Sequence, residues 1–134
     1  YGELYTAIQQ GVVDGAENNP PSFVSSNHYE ICKYYTLDEH SSVPDVLLIG
    51  TKYWDKLSEE ERIWVQDAAD HSAQAQKFFW DESVKESMKV LKDWGVEVII
   101  PEKSLFAEKS KPVLEEFIIE FPEMSKIVNE IKNK

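Results

Sequence analysis

Glu17, Asn18 and Asn19 stand in a row directly ahead of Pro20 and Pro21, so a short polar segment presents one carboxylate and two carboxamides. Each proline fixes its own φ and drives the residue before it toward extended geometry, which places the triplet at the end of an element and not inside a helix. A carboxamide offers two donors and an acceptor, so Asn18 can meet a carboxylate or hydroxyl of a small ligand without bringing net charge. Asparagine is equally suited to forming a turn, and both readings stand at this level. Glu17 suits hydroxyls or ordered water, since it would repel an anionic group. Asn19 is a weaker contact of the same kind, and Phe23 reads as core.

His40 is the other polar candidate, either as a ligand contact that shares a water network with Glu17 or as a structural hydrogen bonder. Asp38 and Glu39 beside it form a carboxylate pair of the sort used in general acid/base chemistry. No nucleophile accompanies them, and solvated charge at a strand end accounts for them as well. The three histidines, His28, His40 and His71, match no i, i+4 or Cys/His ligand spacing, so neither a metal nor another cofactor is expected. Gly-rich phosphate loops and Gly-x-Ser-x-Gly are absent from the sequence, and no enzyme activity is expected. The one cysteine, Cys32, lies in Tyr29-Glu30-Ile31-Cys32-Lys33-Tyr34-Tyr35 and reads as a small buried hydrophobe.

The elements that must position these residues follow from pattern. Residues 3–10 carry Leu4, Ala7 and Ile8 at helical spacing, with Gly11 where a terminating glycine belongs. Val12 and Val13 could begin a short strand, and residues 22–31 have room for one or two helical turns. Residues 34–37 are β-prone, and the apolar run 46–49 reads as a buried strand. Leu57-Ser58-Glu59-Glu60-Glu61 is a capping box, and no proline or glycine follows until Gly95. The spacing therefore predicts a helix over residues 58–93, roughly 54 Å long. Its apolar stripe shifts near residues 80–84, so its two halves are expected to pack on different surfaces. Trp54, Trp64, Trp80 and Trp94 lie along this helix and its flanks and read as packing or interface surface. A strand is expected at 96–100, and an amphipathic helix at 104–121 with Pro112 starting a new segment whose inner face is Val113, Leu114, Phe117 and Ile118. Pro122 opens a final short helix.

Composition narrows the function classes. With 42% hydrophobic and 12% aromatic residues the chain has the means to build a core. A net charge of −11 argues against nucleic acid, whose phosphates call for Lys and Arg. The only arginine is Arg62. No apolar run approaches the ~20 residues of a membrane-spanning helix. The start at Tyr1, without initiator Met or leader features, is expected for a piece of a longer precursor.

The run Tyr5-Thr6-Ala7-Ile8-Gln9-Gln10-Gly11-Val12-Val13-Asp14-Gly15-Ala16-Glu17-Asn18 resembles the signature segment of the solute-binding proteins of tripartite ATP-independent periplasmic (TRAP) transporters, the DctP-like family. Asp38-Glu39-His40, Pro44-Asp45-Val46-Leu47-Leu48-Ile49 and the stretch from Leu57-Ser58-Glu59-Glu60-Glu61 resemble successive segments of the same family in the same order. The resemblance implies an α/β fold, the C-terminal part of a two-lobed periplasmic binding protein, with residues 1–134 contributing to both lobes and the long helix running across them. It implies capture of a small organic acid, a sugar acid or dicarboxylate, through Asn18 with Glu17, His40 and Asn19. It also implies a periplasmic or extracytoplasmic location and transporter membrane subunits as partners.

One feature of the family departs from this chain. DctP-like proteins clamp the ligand carboxylate with an arginine that precedes the matching segment. The chain is therefore expected to carry half a site and to bind weakly or not at all by itself. A second class of reading is a helical interaction module, in which the Trp-bearing helix pairs with a partner or forms a homodimer through surfaces exposed by truncation.

Overall fold

The computed structural model describes residues 2–132. In chain order its elements are helix α1 (Leu4–Gln9), helix α2 (Pro20–Ser25), a 3-10 turn (His28–Glu30), strand β1 (Tyr34–Thr36) and helices α3 (Thr51–Trp54) and α4 (Glu59–Asp93). Strand β2 (Glu97–Ile99), helix α5 (Lys103–Glu120), a second 3-10 turn (Pro122–Met124) and helix α6 (Ser125–Lys132) follow. Two compact units result. The first holds the chain up to Thr36 together with Val43–Ile99, and the second holds Leu37–Ser42 and the chain from Ile100 onward.

In the first unit α4 begins where its local chemistry dictates. Ser58 Oγ accepts from the Glu61 N–H at 3.2 Å, and Glu61 Oε2 accepts from the Ser58 N–H at 2.7 Å. Two N–H groups that the first turn would leave without partners are thereby satisfied. The helix ends at Gly95, which adopts φ +70°. Its N–H and that of Val96 return to the carbonyls of Lys92 and Leu91 at 3.1 and 2.9 Å. This is the paired bonding of a Schellman end, which needs a left-handed residue. Gly11 closes α1 in the same way, with φ +70° and bonds from Gly11 and Val12 to Ile8 and Ala7.

The core sits at the C-terminal end of α4, where Leu91 and Val96 join Phe23 of α2, flanked by Val24, Tyr29, Cys32, Tyr35, Met88 and Val98. Cys32 is half-buried there, and desolvation pushes its thiol pKa up, as expected of a packing residue. β1 and β2 pair in parallel with Tyr34, Tyr35 and Thr36 opposite Glu97, Val98 and Ile99. Parallel strands cannot be joined by a tight turn, and α3 and α4 supply the crossover between them. Tyr35 and Val98 are the inward positions of both strands.

Several expectations need correction. Residues 46–49 form no strand and lie exposed, with Leu48 82% accessible. A strand requires a neighbour to take its N–H and C=O groups, and the sheet described is the two-stranded β1–β2 pair. Val12 and Val13 form no strand either, because both N–H groups bond back to the Ala7 carbonyl. Pro112 does not begin a segment but lies inside the single helix α5. On α4, burial is confined to the C-terminal half, at Ser87 and Leu91, while Ile63, Trp64, Phe78 and Phe79 are each about 60% exposed or more.

In the second unit, α5 starts from Glu102, whose side chain accepts from the Ser104 N–H at 3.2 Å and is thereby held below its usual pKa. Leu114 and Ile118 of the expected inner face are half-buried, whereas Val113 and Phe117 are exposed. Phe117 packs against Phe121 at 5.1 Å between ring centroids. No described helix is long and apolar enough to cross a membrane.

Candidate functional site

From the end of α1 the chain runs through turn, bend and coil to residue 19, then enters α2. Asn19 is the N-cap: its Oδ1 accepts from the Ser22 N–H at 2.9 Å. Pro20 and Pro21 occupy the first helical positions, where the missing N–H groups would have had no intrahelical partner anyway. The oxygen of the Asn19 side chain is therefore engaged in starting α2.

Asn18 is held from two directions. Its Oδ1 accepts from the Asn19 N–H at 2.9 Å, and its backbone carbonyl accepts from the Tyr35 hydroxyl at 2.6 Å. The first bond fixes which end of the amide is oxygen, since a backbone N–H can only donate. The nitrogen end, a double donor, is thus placed opposite. Asn18 is half-buried, and Glu17 beside it is exposed.

Tyr35 carried no functional expectation, because residues 34–37 showed only β propensity. On β1 it turns inward, its ring 4.9 Å from that of Phe23. Its hydroxyl reaches a residue seventeen positions earlier in the chain. The signal available was the strand alternation, which sets Tyr35 on the face opposite to Tyr34 and Thr36 but does not say which face is inward.

His40 lies in the second unit and is exposed. Its Nδ1 donates to Asp38 Oδ1 at 2.9 Å, and that bond lowers the Asp38 pKa. Glu39 takes a left-handed φ of +52° and pairs with Lys103, the first residue of α5. Asp38 and Glu39 thus each have a basic partner. Asn18, Glu17 and Asn19 are neighbours on one segment, and His40 belongs to the other unit.

The remaining charged candidates have structural roles. His28 is buried between the rings of Tyr5 and Phe23, with centroids 6.3 and 6.1 Å away. His71 donates from Nδ1 to the Asp67 carbonyl at 2.7 Å. Arg62 donates from Nε to the Trp54 carbonyl at 3.2 Å, and its guanidinium lies 5.7 Å from the Trp54 ring centroid. It clasps the α3–α4 junction. Among the described residues no three His, Cys, Asp or Glu converge as a metal-binding group.

Comparison with known proteins gives a consistent result. The family model described as bacterial extracellular solute-binding protein, family 7 (DctP), matches residues 1–120. A solute-binding protein of Chromohalobacter salexigens is 40% identical over 134 residues. The alignment covers 99% of this chain and 40% of that protein. A crystal structure of a TRAP periplasmic solute-binding protein from Chromohalobacter salexigens, with bound D-glucuronate, superposes with a TM-score of 0.92 at 40% identity. It covers 99% of this chain and 44% of that one. A counterpart from a Sulfitobacter species, with bound β-D-galacturonate, gives 0.88 at 42% identity over the same shares.

The chain thus spans about two fifths of the length of these relatives, which are solute-binding transport proteins. Its long helix, parallel β1–β2 pair and α5 match the C-terminal portion of that two-lobed α/β fold. With the model matched over residues 1–120 and overall similarity at this level, the chain belongs to the DctP family of bacterial extracellular solute-binding proteins.

Proposed function

We propose that this chain is part of the extracytoplasmic solute-binding subunit of a TRAP transporter, contributing to both lobes. The complete subunit takes up a small organic acid, of the hexuronate class first and dicarboxylates second, and delivers it to membrane subunits. The observation that carries this reading is the 0.92 superposition on a relative holding D-glucuronate. Asn18 is the principal contact, its side-chain nitrogen donating to the ligand's oxygens. Glu17 and His40 serve hydroxyls or bridging water, and Asn19 chiefly fixes the corner.

A chain of net charge −11 does not favour an anionic ligand without a local cation. Arg62 is its one arginine and is occupied at Trp54. The bidentate clamp that a carboxylate calls for must then come from elsewhere in the complete protein.

Isothermal titration with D-glucuronate and D-galacturonate tests the proposal. The complete natural protein is expected to bind one of them at micromolar Kd or tighter. Asn18→Ala should weaken binding about tenfold, the cost of one hydrogen bond to a charged group. The chain alone should bind at least about a hundredfold more weakly, since it lacks a charge-assisted pair. Micromolar binding by the isolated chain would overturn the half-site reading, and failure of the complete protein to bind any hexuronate or dicarboxylate would overturn the function.

A second reading, a helical association module, is favoured by the exposed aromatic residues Trp64, Phe78 and Phe79 on α4. In that reading two copies cover each other's α4.

A further inference from the structure

We infer that Tyr35 is a positioning residue for ligand binding: from the inward face of β1 it sets the orientation of Asn18. The inference rests on the role proposed above for Asn18 and adds the group that governs it.

Three observations carry it. The Tyr35 hydroxyl donates to the Asn18 carbonyl at 2.6 Å, at the short end for a neutral O–H···O bond, in a half-buried setting. The ring is itself fixed, since it packs 4.9 Å from buried Phe23 and sits opposite Val98 in the parallel register. Asn18 follows a stretch of turn, bend and coil, and its side-chain oxygen is bonded to the next residue's N–H. Its amide direction therefore follows its backbone, and Tyr35 holds that backbone peptide.

Preorganisation of this kind changes affinity without a contact to ligand. A corner that samples several peptide orientations binds through the fraction that is competent, so loss of the anchor raises Kd by the inverse of that fraction. The substitution Tyr35→Phe keeps the aromatic ring against Phe23 and removes the hydroxyl that bonds the Asn18 carbonyl.

A double-mutant cycle on the complete natural protein tests this, with D-glucuronate and D-galacturonate as titrants. Tyr35→Phe should raise Kd about fivefold, corresponding to one net hydrogen bond. In the Asn18→Ala background the same substitution should leave Kd unchanged, because no amide remains to orient. A merely structural role would predict the same factor in both backgrounds, and that result would overturn the inference. So would a Tyr35→Phe protein that binds as tightly as wild type while Asn18→Ala is weakened. Wild-type affinity in Asn18→Ala would instead overturn the role of Asn18 itself, and the inference with it. Ligand-free thermal unfolding of Tyr35→Phe within a few degrees of wild type is the expected companion result. A collapse in Tm with equal losses in both backgrounds would assign Tyr35 to folding alone.

Discussion

Leu91 and Val96 meet at the end of α4, where the Val96 N–H bonds the Leu91 carbonyl at 2.9 Å and both side chains enter the same buried cluster. Gly95, at φ +70°, makes the reversal that brings them together. A Cβ at this position would touch nothing within 4 Å, so the penalty for any side chain is conformational and not steric. Gly95→Ala is expected to destabilise the complete protein by about 1–2 kcal/mol, read from urea or thermal unfolding. Gly15→Ala is the control. That glycine also has open space but no positive φ, and the change should be near neutral.

Leu91 itself is fully buried, and the buried apolar cluster it shares with Phe23 and Val96 is small. Leu91→Ala is expected to cost about 3 kcal/mol, the usual loss when a buried leucine is truncated, whereas Phe79→Ala on the exposed stretch of α4 should cost well under 1 kcal/mol in the isolated chain. Equal losses for the two would mean that the stretch around Phe79 is covered.

The start of α4 titrates. Hydrogen bonds from Ser58, backbone first and side chain second, lower the Glu61 pKa below the ordinary glutamate range. A group with a depressed folded-state pKa contributes stability above its unfolded value and loses it as pH falls through the folded one. The difference in Tm between wild type and Glu61→Ala should therefore be present at pH 7 and shrink below about pH 4. Ser58→Ala should cost about 1 kcal/mol at pH 7 through loss of the cap.

The same capping box explains which parts of the fold can be read from the chain without coordinates. Ser58, Glu61 and Gly95 act through bonds spanning three to five residues, so α4 is found at Glu59–Asp93 where pattern places it. β1 and β2 likewise fall where β-prone residues cluster. Residues 46–49 differ because four apolar residues in a row specify a wish for burial but not the neighbour that would provide it. Asn18 and Asn19 stand out through the prolines that follow. Tyr35 does not, since its bond to Asn18 exists only after β1 has packed on α2. The Asp38–His40 bond spans two residues but depends on a left-handed Glu39, which no residue type at that position announces.

Pro112 lies within α5, ten positions into the helix (Lys103–Glu120). It cannot donate to the carbonyl of Glu108, and its ring crowds that same turn. The helix continues because good helix formers and the Lys111–Glu115 pair, four residues apart at 3.8 Å, flank it. Pro112→Ala is expected to raise stability by about 1–3 kcal/mol and to slow amide exchange in residues 108–112. An unchanged or lowered stability would show that proline is matched to a bend that packing requires.

The exposed apolar residues of α4 make the last prediction. Trp64 and Phe78 are 60% and 62% exposed, and Phe79 follows at 67%. Such side chains on one helix gain about 25 cal/mol for every Å² withdrawn from water, and none of the three belongs to the described core cluster. Produced alone, the chain is expected to associate in a concentration-dependent way, visible by light scattering as a mass above 15.5 kDa. Phe78→Glu with Phe79→Glu should return it toward monomer. In the complete protein the same pair should lower Tm by several degrees and leave the oligomeric mass unchanged, if these rings pack inside the solute-binding fold. A complete protein that is dimeric, and becomes monomeric with Tm intact on the double substitution, would instead favour association through α4 as the native role of that face.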